Sequence, residues 1–445
     1  MSTSPSFSPA AMRSALAASL GGFLFGFDTA VISGVEKSIQ QLWSLDSFSH
    51  GFTVAAALIG TVIGSLIAGL PAERFGRKRM LQAIGLLYLV TSLVTALTNA
   101  WLPFVFFRML GGIGVGASSV VGPMYISEIA PAHNRGRLVA MFQFNIVSGI
   151  LIAFISNYLL SDLGADAWRW MLGVQAFPSL LFLVLAFFLP ESPRWLAAHG
   201  KEDEARVVLQ RVGEPEPDTA LAQIRESMVE TTHEPLFSAK YAKPIFLAMS
   251  LAVFNQVSGI NAIMYYAPRI FEMSGLSKSG ALLQAISIGV TNMIFTLLAI
   301  QVIDRFGRRT LLLIGSIGMV AFLGLVSGVF FAGTSGGYLV MVCLIGFIAF
   351  FAFSQGAVIW VFISEIFPNR VRSAGQTLGS STHWVMAALI SWTFPIIAES
   401  SDQGGAWAFA FFSTMMLVQF FFAWKVLPET KGQSLEGIQK TLGIH

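Results

Sequence analysis

Glu73-Arg74-Phe75-Gly76-Arg77-Lys78 interrupts an otherwise apolar stretch, and Asp304-Arg305-Phe306-Gly307-Arg308-Arg309 interrupts another in the second half of the chain. Each hexad follows one long hydrophobic run and precedes the next. Two further pairs keep nearly the same spacing: Glu128 ahead of Arg135 matches Glu365 ahead of Arg372, and Pro190-Glu191-Ser192 matches Pro428-Glu429-Thr430. Three matched pairs in one order mark an internal duplication, and the duplicated unit is a set of six apolar runs.

The runs lie near 14–35, 50–71, 79–98, 101–127, 137–160 and 169–189, then near 242–274, 279–303, 309–333, 337–366, 374–397 and 405–427. About 20 apolar residues span a bilayer as a helix, whereas a barrel strand needs only about 10, so these runs are helices. Composition agrees. The 445 residues are 55% hydrophobic and 11% charged, with mean hydropathy +0.70, against about 25% charged in soluble domains. The fold class that follows is an all-α membrane protein of twelve transmembrane helices in two six-helix halves. Residues 1–190 form the first bundle and 242–445 the second bundle with a short tail. Residues 191–241 form a polar linker with short helical pieces such as Glu202–Val212.

Of the 27 Lys and Arg residues, Lys37, Arg169, Arg269 and Lys278 fall in the loops on one side and Arg108 inside a span; the rest gather on the other side. The positive-inside rule then places both termini and the linker in the cytoplasm. The first apolar run contains Asp28 and lacks a small-residue cleavage site, so it reads as a retained span. A formal charge of +3 gives no footprint for nucleic acid. Cys343 is the only cysteine, which excludes an internal disulfide and a thiolate metal site. His133 and His233 lack a matched ligand pattern, and no nucleophile–base motif stands out, so neither an enzyme, a metal nor a cofactor is expected.

Ionisable groups inside a span are costly and usually functional. Asp28 and Arg108 each fall about 10 Å below the same face, counting 1.5 Å per residue from the span ends. They share a depth and carry opposite charge. A movement that separates them makes the carboxylate easier to protonate, which is a proton-coupling device. At the cytoplasmic ends, acids and arginines recur in both halves: Glu73, Arg77, Glu128, Arg135 and Glu191, with Asp304, Arg308, Glu365, Arg372 and Glu429. Pairing across the halves would latch the inner side shut.

A small polar solute needs amides, which both donate and accept, and an aromatic face. Gln143 shares a helix face with Ile146 and Ile150. The seventh run carries Asn255-Gln256-Val257-Ser258-Gly259-Ile260-Asn261 and then Tyr265. Gln256 and Asn261 stand about 140° apart on a regular helix, with Ser258-Gly259 between them as a place to bend. Asn292 adds an amide. Phe25, Trp360 and Trp384 offer rings, and His383 a further polar group.

These residues resemble the sugar porters of the major facilitator superfamily, proton-coupled monosaccharide transporters related to facilitative glucose transporters. The resemblance rests on Gly26-Phe27-Asp28, the two Arg-rich loops, Pro190-Glu191-Ser192-Pro193-Arg194-Trp195 and Pro428-Glu429-Thr430-Lys431-Gly432. It implies two parallel six-helix halves, alternating access and a hexose or pentose substrate. It puts Gln143, Gln256, Asn261, Asn292 and Trp360 on sugar-contacting positions, and an acid at the Asp28 position marks proton-coupled members. The chain departs from the family in five places. Glu73 replaces an Asp, Asn255 a Gln, Ala357 a Pro, and His383 a Gln or Asn. Gln175 stands where some proton-coupled relatives carry a second acid. The expected function is proton-coupled monosaccharide symport in a bacterial-type cell membrane, with a monomer as the working unit. The alternatives are a facilitative uniporter, with Asp28 and Arg108 structural, and a sugar receptor that does not transport.

Overall fold

Lipid offers no hydrogen bonds, so each apolar run closes its own backbone as a helix. The computed structural model describes residues 8–131, 134–229, 234–333, 336–368, 370–433 and 435–442, without the side chains at 227–229, 304, 435, 436, 439 and 441. His133, His233 and the side chain of Asp304 thus lie outside the described residues. Among the described residues, twelve helices are long and apolar enough to cross a membrane. Spans 1–6 are Pro9–Leu42, Ser47–Ile67, Arg77–Leu97, Trp101–Ile129, Arg135–Leu160 and Ala167–Phe188. Spans 7–12 are Ala239–Met273, Lys278–Ile303, Arg308–Phe331, Gly337–Ile366, Arg372–Ala398 and Gly404–Lys425.

Span 1 outruns its apolar stretch. The helix continues through Glu36-Lys37-Ser38-Ile39-Gln40 to Leu42, because Val35 and Ile39, one turn apart, are both buried and the residues between are good helix formers. Span 2 then starts behind Asp46, whose Oδ1 accepts from the Ser49 amide at 3.0 Å.

Three spans are broken. Span 6 divides into Ala167–Gly173 and Ala176–Phe188. Span 7 bends at Gly259, whose φ of 83° is left-handed. Span 10 divides at Ser354 (φ −116°, ψ −88°) into Gly337–Phe353 and Gln355–Ile366.

By contacts the chain forms two compact units that cut across the sequence halves. One comprises Met1–Asp28, Gly60–Ile150 and Leu172–Thr232; the other comprises Thr29–Ile59, Leu151–Met171 and His233–His445. In the first, Tyr88, Tyr125, Phe142 and Phe182 fill the core, and Tyr125 Oη donates to the Pro190 carbonyl at 2.9 Å. The linker belongs to this unit as far as Thr232. Its helices Pro193–Ala198, Glu202–Arg211 and Pro217–Val229 close over Leu196, Ala205, Leu209 and Leu221, and the Trp195 indole donates to the Glu73 carbonyl at 2.7 Å. In the second unit, Leu247, Leu251, Leu311, Phe362 and Phe367 form the core.

Small residues set the helix crossings, as lipid-embedded packing requires. A Cβ on Gly26 of span 1 would stand 1.9 Å from the Ile146 carbonyl oxygen of span 5, and one on Gly149 would stand 2.1 Å from that of Phe23. Gly26→Val should therefore lower the temperature at which detergent-solubilised protein is lost from gel filtration by about 5 °C or more. Gly136, with nothing within 4 Å of its added Cβ, is the control. Equal losses for both valines would show that the crossing tolerates a side chain.

Candidate functional site

The Arg-rich loops fold alike in both halves. Gly76 and Gly307 turn the chain at φ 96° and 91°, and Arg77 and Arg308 open the following helices. Arg77 Nη2 donates to Glu128 Oε1 at 2.9 Å, and Nε lies 2.9 Å from Oε2. Arg308 Nη2 donates to Glu365 Oε1 at 2.7 Å. Glu191 Oε1 accepts from the Lys78 amide at 3.1 Å. Glu429 accepts from the Arg308 and Arg309 amides at 2.8 and 3.0 Å. A carboxylate on a helix N-terminus satisfies orphan amides and meets the positive end of the dipole.

The expected pairing across the halves belongs to a shut inner side; here Arg77–Glu128 and Arg308–Glu365 each close within one half. The helix after each glycine starts level with the end of a neighbouring span of its own half, so the acid is already in reach. Arg372 Nε donates to the Phe367 carbonyl at 3.3 Å. Glu73 and Arg135 are exposed.

Inside the first unit, Arg108 Nη1 donates to Asp28 Oδ1 at 2.8 Å, and both side chains are buried. Arg108 Nε and Nη2 are buried without a hydrogen-bond partner, so one carboxylate oxygen holds a guanidinium with donors to spare. Phe25 and Ile146 pack beside the same core, and Gln143 is half-buried.

Inside the second unit, the break at Gly259 brings together what a regular helix keeps apart. Asn261 Nδ2 donates to Gln256 Oε1 at 2.7 Å. Gln256 Nε2 donates to Asn255 Oδ1 at 3.0 Å and lies 3.2 Å from Nε2 and 3.3 Å from Nδ1 of His383. The His383 ring sits 4.9 Å from that of Trp360 and 4.8 Å from that of Trp384. Trp360 is exposed, Tyr265 is buried and Asn292 is half-buried.

A buried relay extends this cluster through residues the sequence reading missed. Asn255 Nδ2 donates to the Gln355 carbonyl at 3.4 Å, at the break in span 10. The Gln355 side chain donates to Gln419, which donates to Ser316 Oγ at 3.1 Å. A second missed group lies at the far ends of spans 1, 2, 7 and 11: Glu36, His50, Arg269 and Glu399. Their polar types at span ends were the available signal.

The family described as "Sugar (and other) transporter" matches residues 14–442. The chain belongs to this family. The transporter is 37% identical to a "Glucose transport protein" of Synechocystis sp., covering 98% of this chain and 99% of that one. It is 36% identical to the "D-xylose-proton symporter" of Escherichia coli, covering 95% and 94%. The inward-open structure of the xylose transporter XylE from E. coli matches with a TM-score of 0.86 at 34% identity, covering 96% of this chain and 98% of that one. The fold is thus that of the sugar porters of the major facilitator superfamily.

Glu429→Ala removes two amide partners from the start of span 9. It should lower the stability of the purified transporter by about 1–2 kcal/mol, read by thermal unfolding, and Glu191→Ala should do the same at span 3. Unchanged stability in both would mean that water replaces the carboxylates without loss.

Proposed function

We propose that the transporter carries a monosaccharide together with a proton across a bacterial-type cell membrane by alternating access. The linker and both termini face the cytoplasm, and a single chain is the working unit. The observation that carries the reading is the buried Asp28–Arg108 pair, 2.8 Å between its charged atoms. An idle buried ion pair is commonly no more stable than apolar packing, whereas a pair that can take up a proton does work. The family membership and the xylose–proton relative support the same reading.

The sugar's share falls to the amide cluster. Gln256 spends both amide hydrogens and its oxygen on Asn255, His383 and Asn261. A sugar hydroxyl at Gln256 therefore takes over bonds of the same kind, and Trp360 offers a ring for the C–H face. Asn292, Tyr265 and Trp384 are the further proposed contacts of the second unit, and Gln143, Phe25 and Ile146 are those proposed for the first. Gln256→Ala should weaken binding of labelled monosaccharide about 5- to 150-fold in folded protein, the equivalent of about 1–3 kcal/mol. Unchanged affinity would remove Gln256 from the site.

With Asp28 ionised, Arg108 is held; protonation releases it and eases the change of access. One net positive charge moving inward also gains about 2.3 kcal/mol per 100 mV. Asp28→Asn fixes the released form. In proteoliposomes it should lose uphill accumulation under an imposed proton gradient while keeping sugar counterflow. If wild type ignores the gradient, the chain is a uniporter; if Asp28→Asn still accumulates sugar, the proton binds elsewhere.

A further inference from the structure

None of Glu36, His50, Arg269 and Glu399 enters the reading above, yet together they form a charged cluster in the second unit, with Glu36 and His50 at its buried core. Arg269 Nη1 donates to Glu36 Oε2 and to Gln40 Oε1, both at 3.0 Å, and Nη2 donates to Glu399. Glu399 also takes the Ser47 hydroxyl and, at 3.3 Å, the Gln40 amide. His50 Nε2 lies 2.8 Å from Glu36 Oε2, and His50 Nδ1 lies 3.4 Å from Arg269 Nη1. The guanidinium beside Nδ1 can only donate, so Nδ1 faces it as an acceptor. Glu36 and His50 are fully buried.

One guanidinium therefore ties four helices. Glu36 and Gln40 belong to span 1 and His50 to span 2, with Ser47 at its start. Arg269 belongs to the second piece of span 7, and Glu399 ends span 11. Two of these spans come from each sequence half. An apolar seam runs beside the charges. Phe48 and Phe52 of span 2 set their rings 5.2 and 5.1 Å from Trp392 of span 11. A Cβ on Gly51 would stand 2.1 Å from the Trp392 carbonyl oxygen, so no gap remains there.

Two physical features separate this cluster from static packing. Charged groups regain their solvation when water enters, so a charged contact opens more readily than an apolar seal of the same area. And Arg269 rides on Ile260–Met273, which begins at left-handed Gly259, leaves helical geometry at Tyr266 (φ −122°, ψ 18°) and contains Pro268. Such a segment has its hinges built in.

We propose that Arg269 is the keystone of an outer latch. Closed on Glu36, Gln40, His50 and Glu399, it shuts the sugar path on the side away from the linker; released, it opens that side. The proposal rests on the transport reading and adds to it residues that act in neither sugar nor proton binding.

The test is a pulsed electron-spin distance measurement between labels at Gln41→Cys and Ser401→Cys in a Cys343→Ser background, both positions being exposed. The parent should give mostly the short, closed distance. Arg269→Gln and Glu36→Gln should raise the ratio of long to short distances by at least about tenfold, because the first strands buried Glu36 and the second removes one of the two carboxylates that hold the guanidinium. Glu399→Gln, at a more exposed site, should shift it in the same direction by less and serves if the first two fail to fold. Lys37→Gln removes the neighbouring rim pair with Glu272, where Lys37 is half exposed, and should leave the distribution unchanged. Distances unchanged in folded Arg269→Gln or Glu36→Gln, or in folded Glu399→Gln where those two fail, overturn the latch. So does an equal shift in Lys37→Gln. Parent counterflow in the same preparation tests the transport reading separately: a shift without sugar exchange keeps the latch and sinks transport.

Discussion

Lipid supplies no hydrogen-bond partner, and the remaining features follow from where the chain departs from that restriction. A continuous helix meets it without help. A broken helix needs side chains at the break, and both interrupted spans of the second half have them. Ser258 Oγ accepts from the Ile260 amide at 3.3 Å and donates to the Asn255 carbonyl at 2.6 Å around Gly259. Ser354 Oγ donates to the Phe350 carbonyl at 2.6 Å. Buried arginines meet the same demand: Arg77, Arg108 and Arg308 each hold a carboxylate. Polarity is thus concentrated at a few points, and those points are the candidate machinery.

The duplication is kept at the Arg-rich loops and abandoned inside the bundles. Near the loops, glycine, arginine and two glutamates recur with the same partners in both halves, because the same problem recurs: a tight turn into a helix N-terminus. Within the spans the halves diverge. The first carries a buried ion pair on spans 1 and 4; the second carries amides, an imidazole and indoles on spans 7, 10 and 11. Charge and hydroxyl recognition need different chemistry, and two copies of one scaffold allow each to be built without disturbing the other.

The spans were legible because a run of about 20 apolar residues has few alternative fates. The Asp28–Arg108 contact was legible because counting residues from two span ends gives a common depth. Other features were not. Gln256 and Asn261 point apart on a regular helix, and only the left-handed turn at Gly259 joins them. Gln355, Gln419 and Ser316 come from three spans distant in sequence, so no local pattern links them. Glu36 read as a loop residue because hydropathy falls after Val35, although the helix runs on through good helix formers. Arg77 and Glu128 were read as partners for the other half, since sequence gives the level of a span end and not its neighbours.

His383 narrows the chemistry available beside Gln256. A carboxamide there could donate twice and accept at two lone pairs; a neutral imidazole offers one donor and one acceptor on opposite sides of a rigid ring. That ring is held between Trp360 and Trp384, so it cannot turn freely to suit a new partner. Gln256 can rotate, but each of its polar atoms is already engaged. A hydroxyl entering this cluster therefore exchanges hydrogen bonds rather than adding them, and the net gain comes from its fit to groups whose directions are fixed in advance. On the proposed reading, selectivity among sugars rests on which hydroxyl meets Gln256 while the ring face lies on Trp360.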